Sequence, residues 1–117
     1  MKYMLLIYGN EQTWDTLHAE GIDQVMEQHG KLIDELKARG EHVDDRPLTI
    51  ANSRVVRVRD GVATVTDGPF TEAKEVLAGY YIVDCASLDR ATDIAARLPE
   101  APYSPIEIRS FTDPAES

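Results

Sequence analysis

A single cysteine, Cys85, stands among 117 residues, so the chain cannot build an internal disulfide framework, and no Cys/His cluster has the spacing of a zinc site. Basic residues are scarce as well. Twelve Lys and Arg face 21 Asp and Glu, a net charge of −9 that repels phosphate backbones, and nucleic acid is not an expected partner. Long apolar runs are missing. The run Tyr3 to Tyr8 is too short to span a membrane and lacks the basic flank, longer apolar core and small-residue cleavage site of a signal peptide. No membrane association and a cytoplasmic location are therefore expected. No nucleotide loop, nucleophile elbow or metal motif is present, so no cofactor and no metal are expected. Low-complexity runs, internal repeats and compositional breaks are absent too, and hydrophobic residues at 43% and charged residues at 28% are ordinary globular values. The length suits one domain, residues 1–112, with a frayed tail at 113–117.

Residues Tyr3 to Tyr8 are apolar at every position, as a central strand covered on both faces requires. From Gly21 onward, Ile22, Val25, Met26, Leu32, Ile33 and Leu36 recur at helical spacing, with Lys37 and Arg39 in the last turn and Gly40 as the stop. Glu41 to Thr49 reads as extended, and Pro47 makes it an edge strand. Arg54 to Arg59 and Val62 to Asp67 flank Asp60-Gly61, a dipeptide that suits a two-residue type I′ hairpin turn. Leu77 to Cys85 is a strand, and Ser87 caps a second amphipathic helix carrying Leu88, Ala91, Ile94, Ala95 and Leu98 that ends at Pro99. Ile106 to Phe111 closes the chain as a strand. Set the hairpin aside, and the order is the split βαβ pattern of a ferredoxin-like α+β domain. Two helices on one sheet face leave the other bare, yet the first strand is apolar on both.

The stretch Asp67-Gly68-Pro69-Phe70-Thr71-Glu72-Ala73-Lys74-Glu75 runs on into Val76-Leu77-Ala78-Gly79-Tyr80-Tyr81-Ile82-Val83-Asp84. Together with Lys2-Tyr3-Met4-Leu5-Leu6-Ile7-Tyr8-Gly9 it resembles the DGPF branch of the YCII-related family. The resemblance covers nearly the whole chain, because opening strand, His-bearing first helix, DGPF turn and closing strand come in the family's order. It implies a homodimer whose sheets pack face to face, as in the dimeric α/β-barrel group. It names no general reaction. It also implies a competing role, a non-catalytic regulatory or interaction protein, since DGPF proteins are often encoded near alternative sigma factors.

His29 lies seven residues after Ile22 and three before Leu32, on the apolar stripe of the long helix. There it is either a core histidine satisfied by one hydrogen bond or a general acid or base. The resemblance favours chemistry, because YCII-related proteins carry a first-helix His proposed to work with an Asp, and His29 in Glu27-Gln28-His29-Gly30-Lys31-Leu32 matches it. Gly30 beside it hints at a tight contact. Asp67 has three readings: it pins the turn, pairs with Arg54 across the hairpin, or orients His29. Two-residue register at Asp60-Gly61 places Arg54 opposite Asp67. Tyr8, Trp14, Phe70 and Tyr81 are core or dimer-interface aromatics, or else the walls of a ligand pocket between helix and sheet. Trp14 sits in a polar loop that needs a surface to lie on, and Lys74 and Glu75 are solvated charges or part of the same rim. Gly68 is expected to hold a backbone that other residues resist. Two readings stand: a small-molecule enzyme or binding protein in which His29 and Asp67 are the catalytic pair, and the non-catalytic regulatory or interaction protein in which both are structural.

Overall fold

The computed structural model describes residues 1–70 and 75–112, so the expected tail at 113–117 and Lys74 lie outside the described residues. The elements are β1 (Lys2–Gly9), α1 (Glu11–Ala38), β2 (His42–Pro47), β3 (Arg54–Arg59), β4 (Val62–Asp67), β5 (Val76–Asp84), α2 (Leu88–Ala96) and β6 (Ile106–Ser110). Four strands form an antiparallel sheet in the order β2-β5-β1-β6, and β3 and β4 form a separate hairpin. This is the ferredoxin-like α+β arrangement. The fully apolar β1 is central, and the proline-bearing β2 is an edge.

Strand alternation divides the sheet. Tyr3, Leu5 and Ile7 of β1 and Tyr81 and Val83 of β5 point to the helix side, where they pack with Leu32 and Leu36 of α1 and Ala91, Ile94 and Leu98. Met4, Leu6, Tyr80 and Ile82 point the other way and stay half-exposed. Cys85 packs in the core, its thiol donating to the Ser87 carbonyl at 3.4 Å.

α1 starts ten residues, nearly three turns, earlier than its apolar periodicity shows. Asn10 accepts from the Thr13 backbone N–H at 2.9 Å while its own N–H reaches Thr13 Oγ1 at 3.4 Å, a reciprocal cap that nucleates a helix at Glu11. Trp14 therefore lies in the first helical turn, not in a loop. Gly21, at φ 109° and ψ 96°, kinks the helix where the sequence reading began it. At the other end Gly40 takes φ 70°, and its N–H closes on Lys37 O at 3.1 Å.

The hairpin has the expected register: Arg54 faces Asp67 and Arg59 faces Val62, with Asp60 at φ 51° and Gly61 at φ 78° as a type I′ turn demands. Gly68 is required for a different reason from the one expected. The left-handed glycines are Gly21, Gly40 and Gly61, whereas at Gly68 a Cβ would press on the Ser53 side chain and lie 3.2 Å from the Ser53 carbonyl carbon. The Gly68 N–H donates to Ser53 O at 2.9 Å and holds the two backbones at that approach.

Candidate functional site

On α1 the core residues Val25, Leu32 and Leu36 define one stripe, and His29, four residues after Val25 and three before Leu32, shares it. Its imidazole is thereby aimed at the sheet, with 15% of the side chain exposed. On β5 the alternation that buries Val83 also turns Tyr81 inward, at 3% exposure. The turn after α2 brings in Glu100, whose backbone carbonyl accepts from the N–H groups of Tyr103 and Ser104.

These three side chains meet. His29 Nε2 lies 2.6 Å from Glu100 Oε2, and Nδ1 lies 2.6 Å from the Tyr81 hydroxyl, with the two rings 5.8 Å apart and tilted by 35°. A carboxylate only accepts, so the proton facing Glu100 belongs to Nε2; Nδ1 accepts the Tyr81 O–H in the neutral imidazole and donates to the Tyr81 oxygen in the imidazolium. Burial, followed by the negative fields of Asp45 and Glu100, raises the Tyr81 phenol well above its ordinary value and keeps it a donor. Glu100 Oε1 is buried and has no hydrogen-bond partner among the described residues.

The cluster borders a cavity of about 470 Å³ between α1 and the sheet. Its body is apolar, with Trp14, Val25 and Met26 on the helix side and Leu48 and Ala78 among the strands. Gly9 makes room for the Trp14 ring, since a Cβ there would come within 2.6 Å of it. Asp45 joins from β2, directly opposite Tyr81 in the strand register, with its Oδ2 2.7 Å from His42 Nε2. A volume in the range of roughly 300–1,000 Å³, apolar walls and a few convergent polar groups are what a small-molecule site requires.

Of the residues singled out from sequence, His29, Trp14 and Tyr81 line this cavity and Tyr8, Phe70 and Asp67 do not. Tyr8 follows the outward-facing parity of β1, and its hydroxyl donates to Glu107 on the open face at 3.1 Å. Phe70 is 47% exposed and lies under the Arg57 guanidinium, 5.4 Å from the ring centroid. Asp67 takes the cross-hairpin reading: its exposed carboxylate accepts from Arg54 Nη1 at 3.2 Å. The carboxylate beside His29 is that of Glu100. Glu75 Oε1 accepts from the Asn10 side chain at 3.2 Å, at the α1 cap. Sequence reasoning missed Glu100 and Asp45. Asp44-Asp45 offered two adjacent acids of opposite parity on an edge strand, and Glu100 follows Pro99 outside any periodic pattern.

A ferredoxin-like sheet with an acid–base cluster under its first helix defines the class: a small α+β domain with a helix-to-sheet pocket. A match to the YCII-related domain spans residues 1–113, and the chain belongs to that family. It is also similar to an uncharacterized protein of Rhizobium meliloti (strain 1021), 33% identical over 102 residues that make up 86% of this chain and 82% of the relative.

Proposed function

We propose that the chain is a small-molecule binding protein of the DGPF branch that exchanges a proton with its ligand through Tyr81, His29 and Glu100, and that it works as a cytoplasmic homodimer. The observation that carries this reading is the pair of 2.6 Å contacts on both ring nitrogens of His29 at the wall of an apolar cavity. Both nitrogens being engaged, the ligand meets the Tyr81 oxygen first. A proton leaving the ligand joins that oxygen as the phenol's own proton moves to Nδ1, and the imidazolium so formed is stabilised by Glu100 on its far side. The raised Tyr81 phenol supports this relay, because the group passes a proton on and does not remain as a phenolate.

The test is nitrogen NMR of the His29 ring during a fragment screen. Compounds that enter the cavity are expected to shift both ring nitrogens. Tyr81→Phe should remove the Nδ1 response at a stability cost of about 1 kcal/mol, the net worth of one hydrogen bond. A screen in which binding compounds leave both nitrogens unmoved would show that His29 is packing alone.

A further inference from the structure

The cavity has a polar end and an apolar end, and the sign of the polar end selects the ligand. Among the described residues two carboxylates border it, Glu100 and Asp45, together with the Tyr81 hydroxyl and the His29 imidazole. Arg46 is the one Lys or Arg among the described lining residues. Its register partner is Tyr80, on the outward parity of β2 and β5, and its guanidinium lies 4.0 Å from Asp44 on that side. Asp44 in turn accepts from Tyr80 at 3.0 Å. Asp45 is engaged by His42, and Glu100 Oε2 by His29. Glu100 Oε1 is left, on a residue 91% removed from solvent, as a buried acceptor with no donor among the described residues. Glu100 thus keeps unmet acceptor capacity beside the cavity.

We infer that the cavity takes an ammonium head on a compact apolar body, the head seated against the Glu100 and Asp45 side chains that border it and the body lying against Trp14 and the helix side chains. This rests on the small-molecule reading proposed above. An anionic head would meet two carboxylates with no Lys or Arg side chain facing it among the described residues. A neutral hydroxyl can donate to a carboxylate but brings no opposite charge, so discrimination runs ammonium over alcohol over carboxylate. Trp14 and Tyr81 add aromatic faces that favour a cation.

Trp14 is the chain's one tryptophan and lines the cavity, so its emission reports occupancy. Three probes of matched size are titrated at pH 7: phenethylammonium, 2-phenylethanol and 3-phenylpropanoate. The expected result is at least tenfold tighter binding of phenethylammonium than of the alcohol, with the carboxylate weakest. In Glu100→Gln the preference for ammonium over alcohol should collapse to within about threefold. Equal binding of ammonium and alcohol, or a preference for the carboxylate, overturns the head-group assignment while leaving the pocket in place. Silence of Trp14 to all three overturns the pocket reading as well. The comparison of the three probes on the wild-type chain decides the matter even if Glu100→Gln does not fold.

Discussion

Gly30 follows His29 on α1, and the space around it carries a residue-scale prediction. A Cβ at this position meets nothing within 4 Å, and the residue borders the cavity. Interior helical glycine costs about 1 kcal/mol relative to alanine, so Gly30→Ala should raise stability by up to that amount in thermal unfolding. Gly30→Phe should keep the helix but occupy the cavity, abolishing the response of Trp14 to added probes. A loss of stability in Gly30→Ala would mean that the open space is filled. The sequence suggested a tight contact at Gly30 and the fold provides room, because a glycine in a helix signals that a side chain is unwanted without saying why. His29 was legible, since helical spacing fixes which face a residue takes. Glu100 was not, because nothing local distinguishes a buried acid after Pro99 from a solvated one, and its contact with His29 spans 71 residues of chain.

Elements were more legible than residues. β1, the hairpin register, β5 and α2 followed from apolar runs, a turn dipeptide and a serine cap. The first ten residues of α1 were hidden because Thr13 and Leu17 are the buried positions before the Gly21 kink, too few to show a period, and the cap uses Asn and Thr where Ser and Glu are the usual signal. A second buried acid joins the elements at the opposite end of α1. Glu41 is 8% exposed and accepts from Arg90 Nε at 3.0 Å and Arg90 Nη2 at 2.8 Å, with Arg39 Nε at 3.1 Å. Its carbonyl accepts from the Asp84 N–H at 2.8 Å, so it ties α1, β5 and α2 together. Arg90, bonded through both nitrogens, holds the Glu41 carboxyl below the usual carboxylate range. A depressed folded value means that the stabilisation is present above the unfolded carboxylate pKa and is lost as pH falls through the folded one. Glu41→Gln should therefore cost about 2 kcal/mol at pH 7 in denaturant unfolding, and much less at about pH 3. An equal deficit at both pH values would show that packing, not charge, is what the substitution removes.

For the whole molecule, the proposed dimer follows from what two helices leave uncovered. Met4, Leu6, Tyr80 and Ile82 form an apolar centre on the open sheet face, with Asp44, Arg46, Glu107 and Arg109 at its flanks. The hairpin adds Val56, Val58 and Val65, at 60%, 65% and 54% exposure, and a two-stranded sheet alone is marginal in water. A second copy laid on the open sheet face would cover its apolar centre and is expected to bury more than the roughly 1,000 Å² of a specific interface. Sedimentation should show a dimer at micromolar concentration, and Leu6→Arg should yield a folded monomer. A wild-type monomer that binds no hydrophobic dye would end the face-to-face assembly. The His29 cluster has a further consequence when viewed as connectivity. It joins the middle of α1, the centre of β5 and the turn beyond α2, contacts separated by 52 and 71 residues along the chain. Anything seated among those three side chains is held by segments that come together only in the complete fold, so it acts as a fastener between distant parts of one polypeptide. By mass action, an occupant at a hundred times its dissociation constant adds about 2.7 kcal/mol to the folded state. Heat resistance thus becomes a reporter of chemical identity, and a melting curve recorded against a panel of metabolites can nominate the natural occupant before any reaction is known.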